Sequence, residues 1–264
     1  MKVRFSKYHG TGNDFVVIDG REQDTSGFNT GLIRQICDRR FGIGGDGLII
    51  LQDSERADFK MLYYNSDGNE GTMCGNGGRC ITAFASKLGI ISMETTFEGI
   101  DGLHSATILP NEEVRLRLGD VEKVRWMEDG YLLDTGSPHF VKFVSQLEMI
   151  DVGAEGREIR NQPRFGKNGV NVNFVERTGQ PNRISVRTYE RGVESETFSC
   201  GTGVAAAAIS SYYHFKTDIL SYHITTPGGN LNVSFKVLYH NQFSDIYLNG
   251  PAAHVYDGSI EITL

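Results

Sequence analysis

The sequence predicts an α+β protein of two pseudo-symmetric lobes, each a mostly antiparallel β-sheet wrapped around a central helix. Three observations carry that expectation. Short β-rich runs broken by turn residues fill most of the 264 residues, while helical patterns are few. Landmarks recur at a nearly constant offset along the chain. The two clearest central helical runs each follow a cysteine set among glycines.

The repeat is read from its landmarks in order. Glu70-Gly-Thr-Met-Cys74-Gly-Asn-Gly and Glu196-Thr-Phe-Ser-Cys200-Gly-Thr-Gly share a Glu four residues before the Cys and a Gly one and three residues after it. The two cysteines lie 126 residues apart. Thr11-Gly-Asn-Asp-Phe-Val16 resembles Thr135-Gly-Ser-Pro-His-Phe-Val141 at an offset of 124, and Arg40-Phe-Gly42 matches Arg164-Phe-Gly166 at the same offset. Tyr64 has its partner in Tyr189. Four landmarks in one order indicate duplication. We therefore expect an N-terminal lobe over residues 1–120, completed by a C-terminal strand at 250–264, and a C-terminal lobe over 121–249. The boundary falls in the charged, Gly-broken stretch Gly119–Tyr131.

Each element follows from local chemistry. Met1 to Lys7 reads as a strand, since it has neither the apolar core nor the cleavage site of a signal peptide. Further strands are expected at Phe15–Ile18, Leu48–Leu51, Met61–Tyr64, Val114–Leu118, Phe140–Val144, Val170–Val175 and Ile184–Thr188. Others follow at Tyr222–Thr226, Leu231–Phe235, Ile246–Leu248 and Ile260–Leu264. Three helices are expected. One spans Thr30 to Arg40, capped by Asn29 or Thr30. One runs from about Gly78 to Leu88 and stops at Gly89. The third is the Val204–Ile209 run after Cys200, rich in strong helix formers.

Composition excludes several classes. A net charge of −7 and a pI near 5.5 argue against nucleic-acid binding, which needs a basic face. No apolar run is long enough to span a bilayer. Four cysteines without a CxxC pair, in a chain this long, are no disulfide framework, and a reducing cytoplasm is the expected location. No metal site is expected.

The chemistry converges on the two cysteines. A thiol at a helix N-terminus faces N–H groups that lack carbonyl partners, together with the positive end of the helix dipole, so its thiolate is favoured. Two opposed thiols suit racemisation or epimerisation, because one removes an α-proton from one face while the other returns a proton to the opposite face. The helix tips bind the reacting carboxylate. The remaining polar candidates cluster in the landmarks. Asn13 and Ser137 are repeat-equivalent, and Gly42–Gly47 aligns with Gly166–Asn171. Asn65 lies nine residues before Cys74, and Arg191 nine before Cys200. Gly42–Gly47 matches no phosphate-loop or dinucleotide fingerprint and is read as a tight turn. Cys37 and Cys80 are read as buried small hydrophobes. His9, His104, His214, His223, His240 and His254 are read as structural or surface residues. His139 stands apart because it sits in a repeat landmark.

Whole-chain motifs carry a resemblance. They are His9-Gly-Thr-Gly-Asn-Asp-Phe, Asp38-Arg-Arg-Phe-Gly-Ile-Gly-Gly-Asp-Gly, Asn65-Ser-Asp-Gly-Asn with Cys74-Gly-Asn-Gly-Gly-Arg79, Gly136-Ser-Pro-His139, Asn171, and Glu190-Arg-Gly-Val-Glu with Cys200-Gly-Thr-Gly. In these the chain closely resembles the diaminopimelate epimerase family, whose fold is shared with proline racemase and the phenazine-biosynthesis isomerase. The resemblance implies interconversion of L,L- and meso-diaminopimelate without pyridoxal phosphate or metal, on the route to lysine and peptidoglycan, by a cytoplasmic homodimer. It further implies that Cys74 and Cys200 are the acid/base pair. Backbone N–H groups around Gly75, Asn76, Gly201 and Thr202 would bind the reacting carboxylate. Glu190 would take the α-ammonium. Asn65, Asn171 and Arg191 would hold the distal carboxylate, and Asn13 would help fix the distal amino group. His139, Ser137 and Gly47 are site-supporting candidates. Gly47 stands where some members have Gln, and Ser137 where many have Asn.

The alternatives are a cofactor-independent racemase of another amino acid, a thiol redox switch, and a binding module for a dicarboxylic amino acid. Retention of Asn65, Asn171 and Arg191 together disfavours the first. Absence of a CxxC motif disfavours the second. Cysteine in place of serine at both helix tips disfavours the third.

Overall fold

The computed structural model describes residues 2–239 and 241–262. His240, and the ends of the strands expected at 1–7 and 260–264, namely Met1, Thr263 and Leu264, lie outside the described residues. The chain divides into two compact units, Met1–Leu116 with Gly250–Leu264, and Arg117–Asn249.

The first unit opens with β1 (Lys2–Gly10) and β2 (Asn13–Asp19), an antiparallel hairpin turning through Thr11 and Gly12, both at positive φ. Helix α1 (Thr30–Cys37) crosses to β3 (Gly47–Gln52), which pairs parallel to β2 with Phe15 opposite Gly47. β4 (Phe59–Asn65) runs antiparallel to β3. Helix α2 (Gly75–Lys87) crosses to β5 (Glu94–Gly99), parallel to β4. β6 (Gly102–Ile108) and β7 (Val114–Arg117) continue the sheet antiparallel.

The second unit repeats the order. β8 (Val124–Trp126) and β9 (Tyr131–Asp134) pair antiparallel, and β10 (Pro138–Phe143) follows antiparallel to β9. Helix α3 (Val152–Arg160) crosses to β11 (Asn171–Arg177), parallel to β10. β12 (Arg183–Glu190) is antiparallel to β11, with the short β13 (Ser195–Thr197) beside it. Helix α4 (Gly201–His214) crosses to β14 (Ser221–Thr226), parallel to β12. β15 (Gly229–Tyr239) and β16 (Gln242–Gly250) close the unit antiparallel. The chain ends in β17 (Ala253–Glu261), antiparallel to β1 in the first unit.

The sheets are mostly antiparallel and the architecture is α+β. One expectation needs correction. Among the described residues the second unit carries, beside its central helix α4, a second helix that was not expected, so that each unit has two parallel crossovers, one around each α-helix. The missed helix is α3. Its glycines lower helix propensity, yet Asp151 caps it by accepting from Ala154 N at 2.9 Å. Gly156 is required by packing, because a Cβ there would lie 2.3 Å from Tyr189 Cβ. The missed strands β5 and β6 are rich in Thr, Ser and Glu, and β8, β9 and β13 are short. β8 also falls inside the stretch expected to be an irregular boundary.

Two helices per unit explain the apolar runs. Val16, Ile18, Leu48 and Ile50 pack with Leu32, Ile33 and Ile36 of α1. Successive strand residues point to opposite faces, so Ile49 turns the other way, where it would meet a Cβ on Gly77 of α2 at 3.2 Å. A strand covered on both faces reads as continuously apolar, as Leu48–Leu51 does. In the second unit Phe140, Val172 and Phe174 pack with Val152 and Ile159 of α3. Helix α4 is apolar nearly all round, and most of it is buried.

Candidate active site

Both helix tips are built alike. Cys74 is the N-cap of α2 and Cys200 the N-cap of α4, each with extended backbone and neither using its side chain to cap its helix. The thiols therefore remain available to other groups, while the N–H groups of Gly75, Asn76, Gly201 and Thr202 belong to first turns whose N–H groups have no intrahelical carbonyl. α2 starts three residues earlier than expected, directly after the cysteine, and Gly89 ends it at φ +72° as expected. The tips are less open than an exposed tip would be. Cys74 is half-buried, and Cys200 is only 8% exposed.

Around Cys74, Asn13 Oδ1 lies 3.7 Å from Sγ and accepts from Asn76 Nδ2 at 3.2 Å. Asn13 Nδ2 donates to Asp46 Oδ2 at 2.7 Å. A carboxylate only accepts, so this bond fixes the Asn13 amide with its oxygen toward the thiol. Asn76 Oδ1 accepts from Arg79 Nη2 at 3.0 Å. Arg79 is fully buried and also donates to Gly75 O, Thr11 Oγ1 and Pro251 O. Burial lowers the Arg79 pKa, opposed by Cys80, Cys74 and Glu113.

Asp14 joins the loop below through Lys7 at 2.6 Å and Arg39 at 2.5 Å. Desolvation pushes its carboxyl upward, but the hydrogen bonds and charges of Arg39 and Lys7 outweigh it and hold the pKa at about 2. Asn65 ends β4, and its Oδ1 accepts from Tyr63 OH at 3.0 Å. Gly47 is a place of close approach. A Cβ there would meet Tyr64 O at 2.6 Å and the Tyr63 ring at 2.7 Å. Tyr63 thus occupies the space that a longer side chain at 47 would need. Sequence reasoning missed Tyr63, because only the β3–β4 register sets its ring against Gly47.

Around Cys200, Thr202 Oγ1 lies 3.5 Å from Sγ and 2.9 Å from His139 Nε2. Ser137 Oγ lies 3.0 Å from the same nitrogen and accepts from Asn171 Nδ2 at 3.1 Å. Asn171 Oδ1 accepts from the backbone N–H of Arg191 at 2.8 Å. Glu190 Oε2 accepts from Thr197 Oγ1 at 3.1 Å. Behind His139, Asn173 Nδ2 lies 3.0 Å from Nδ1, and Asn173 Oδ1 accepts from Thr188 Oγ1 at 3.0 Å. His139 is wholly buried, and desolvation, then the Arg191 charge, lowers its pKa to about 3. The second unit thus brings Ser137, His139, Asn171, Arg191 and Thr202 into one network. Asn173 and Thr188 were not legible, since they enter only through the β10–β11 and β11–β12 registers.

Cys37 and Cys80 are buried, and desolvation pushes each thiol up to about 12. Neither is a nucleophile near neutral pH. Among the described residues, no cluster of three His, Cys, Asp or Glu side chains is assembled to hold a metal ion. No helix among them is long and apolar enough to cross a membrane.

Solved structures share the fold at low identity. One is a phenazine biosynthesis protein of the PhzF family from Bacillus anthracis, at TM-score 0.77 and 14% identity, covering 99% of this chain and all of that one. Another is a hydroxyproline epimerase from Agrobacterium vitis, at TM-score 0.69 and 15% identity, covering 98% of this chain and 92% of that one. The family model described as diaminopimelate epimerase matches residues 5–124 and 131–255. A diaminopimelate epimerase from Flavobacterium psychrophilum is 51% identical over 98% of this chain and all of its own. One from Chlorobaculum tepidum is 42% identical over 96% of this chain and 99% of its own. The chain therefore belongs to the diaminopimelate epimerase family of isomerases.

Proposed function

We propose that the protein epimerises L,L-diaminopimelate to the meso form by a two-base reaction of Cys74 and Cys200, in lysine and peptidoglycan precursor biosynthesis. The observation that carries this reading is the pair of cysteines at the N-cap positions of the two central helices, each with its thiol unused for capping. Cys74, as thiolate, takes the α-proton of the L,L substrate, and Cys200, as thiol, returns a proton to the other face. The roles exchange in reverse. The N–H groups around Gly75, Asn76, Gly201 and Thr202 hold the carboxylate on which charge develops. Glu190 takes the α-ammonium. Asn65, Asn171 and Arg191 bind the distal carboxylate, where the planar guanidinium suits both oxygens, and Asn13 fixes the distal amino group. His139 and Ser137 support the Cys200 side, and Gly47 leaves room for Tyr63. The proton transfers are assigned entirely to side chains of this chain, with no cofactor.

Family membership supports a cytoplasmic homodimer acting on a small molecule. Sedimentation at micromolar concentration tests the dimer. The function is tested with L,L-diaminopimelate in reducing buffer containing a chelator. Formation of the meso isomer, with solvent deuterium entering the product α-carbon, is expected. Absence of conversion, with racemisation of a different amino acid, would replace the substrate assignment.

A further inference from the structure

The hydrogen-bond chains behind the two thiols run with opposite polarity. At Cys74 the neighbouring group is an acceptor, because Asp46 takes the Asn13 N–H and turns Oδ1 toward Sγ. An acceptor beside sulfur favours the protonated thiol. At Cys200 the chain starts from a backbone carbonyl. Phe140 O lies 3.3 Å from Asn173 Nδ2, and a carbonyl only accepts, so the nitrogen of that amide must face it. The bond from Thr188 Oγ1 to Asn173 Oδ1 agrees with that orientation. Asn173 Nδ2 then donates to His139 Nδ1. A neutral imidazole whose Nδ1 accepts carries its proton on Nε2. Asn171 Nδ2, 3.4 Å from Nε2, gives its two protons to Ser137 Oγ and Pro138 O instead, so Nε2–H lies between Thr202 Oγ1 at 2.9 Å and Ser137 Oγ at 3.0 Å, and the Thr202 hydroxyl, which cannot donate to a protonated Nε2, turns its proton to Cys200 Sγ. Its other hydroxyl neighbour, Ser137 Oγ, also at 3.5 Å, accepts from Asn171 and faces the same Nε2–H, so its acceptor sites are taken. A donor beside sulfur favours the thiolate, and a charged acceptor holds the proton better than a neutral one. Gly203 allows this approach, since a Cβ there would lie 2.4 Å from Asn173 Oδ1.

We propose that His139, acting through Thr202, is a positioning residue that makes Cys200 the more acidic of the two thiols. The unliganded protein then holds its proton mainly on Cys74. In the proposed reaction that is the form armed for the meso isomer, so L,L turnover draws on the minor form. This consequence rests on the proposed function, whereas the acidity order does not.

The neighbouring elements carry other charges. Tyr189, Glu190 and Arg191 lie at the end of β12, and Arg187 of β12 pairs with Glu196 of β13. Lys142 of β10 pairs with Glu155 of α3, and Asp134 ends β9 by accepting from Gly136 N. β11 contributes Glu176 and Arg177, β14 Tyr222 and His223, β15 Lys236 paired with Asp245, and α4 itself His214.

The test is alkylation of the unliganded protein by iodoacetamide from pH 5 to 10, with Cys74 and Cys200 peptides quantified by mass spectrometry. Each thiol is the internal control for the other, and no turnover is needed, so epimerase activity and acidity order fail separately. Cys200 is expected to react at the lower pH. Thr202→Val should raise its midpoint by about one pH unit, or about tenfold in rate below the midpoint, and leave that of Cys74 in place. His139→Leu should do the same, while Thr202→Ser and His139→Gln, which keep a donor, should restore the native order. Equal midpoints in the native protein, or a Thr202→Val shift common to both thiols, would overturn the proposal. Circular dichroism checks that each variant is folded. If His139→Leu fails that check, the Thr202 pair decides.

Discussion

The two helix tips share a backbone and differ in what stands behind it. Both place a cysteine as N-cap with extended backbone, followed by a glycine-bearing first turn. α2 itself carries Arg79, a fully buried guanidinium, where the equivalent position in α4 is Ala205. Behind α4 sits His139, a buried neutral imidazole. The two units share the part that the proposed two-base reaction needs at both ends, which is a thiol beside a row of helix-terminal N–H groups. Each unit satisfies its own buried polar groups. Equivalence therefore belongs to the thiols, and asymmetry to their supports.

The largest effects test the equivalence. Cys74→Ser and Cys200→Ser preserve shape but give a hydroxyl whose pKa is far above working pH. Each should cost on the order of 10³ in kcat in both directions, since general acid–base groups contribute roughly 10² to 10⁴. The double variant should be no worse than either single one, because members of one catalytic unit fail together. Substantial rate in one single variant, in a deuterium-exchange assay, would break the equivalence.

Arg79 tests the asymmetry at the level of stability. Arg79→Met removes the donor that serves Gly75 O, Pro251 O, Asn76 Oδ1 and Thr11 Oγ1. Stranded buried acceptors cost about 1–3 kcal/mol each, offset by relief from burying the charge. A loss of about 3 kcal/mol in urea unfolding is expected. A loss below 1 kcal/mol would mean that the guanidinium is held chiefly for its charge.

The units also differ in how acid reaches them. His139 is neutral and buried, with a folded pKa of about 3 against 6.5 for the ordinary group. Its lowered pKa means that the unfolded chain binds the extra proton first, so its contribution is full above about 6.5 and is lost as pH falls toward 3. By linkage the loss at pH 5 is about 2 kcal/mol. Asp14, held at about 2, contributes above its ordinary value of 3.8 and loses that contribution only as pH falls toward 2. Urea unfolding at pH 7 and 5 should therefore show a decline that His139→Gln flattens. A decline of the same size in that variant would move its cause elsewhere.

What the sequence disclosed follows from the range of the interactions. Cysteines, glycine spacing and the Gly89 stop are local and stand where the pattern put them; of the two cap candidates Asn29 serves, and α1 ends at Cys37 rather than Arg40. The repeat was legible because its landmarks keep their order. The supports were legible only in part: His139 and Ser137 stand in a landmark, but Asn173, Thr188 and Tyr63 depend on register. His139 meets Asn173 only because β10 and β11 pair parallel with His139 opposite Asn171. Tyr63 fills the space over Gly47 only because of the β3–β4 pairing. Helix α3 was hidden because a glycine needed for contact with Tyr189 reads as a turn.

The smallest effect asks whether equivalent positions behave alike where the chemistry is absent. Asn29 caps α1 by accepting from Leu32 N at 3.0 Å, and Asp151 caps α3 by accepting from Ala154 N at 2.9 Å. The two helices occupy the same place in the two units, and neither cap touches a candidate site residue among the bonds just named. Replacing either cap by alanine should cost about 1 kcal/mol. Asp151→Ala should cost a few tenths more, because the carboxylate also meets the positive end of the helix. That excess should fade in 1 M salt, where the Debye length is about 3 Å, leaving the two variants equal. Neither should change kcat/KM. Unequal losses at high salt would show that the asymmetry seen behind the thiols extends to the outer helices. A change in kcat/KM would mean that α1 or α3 sets the geometry of its helix tip.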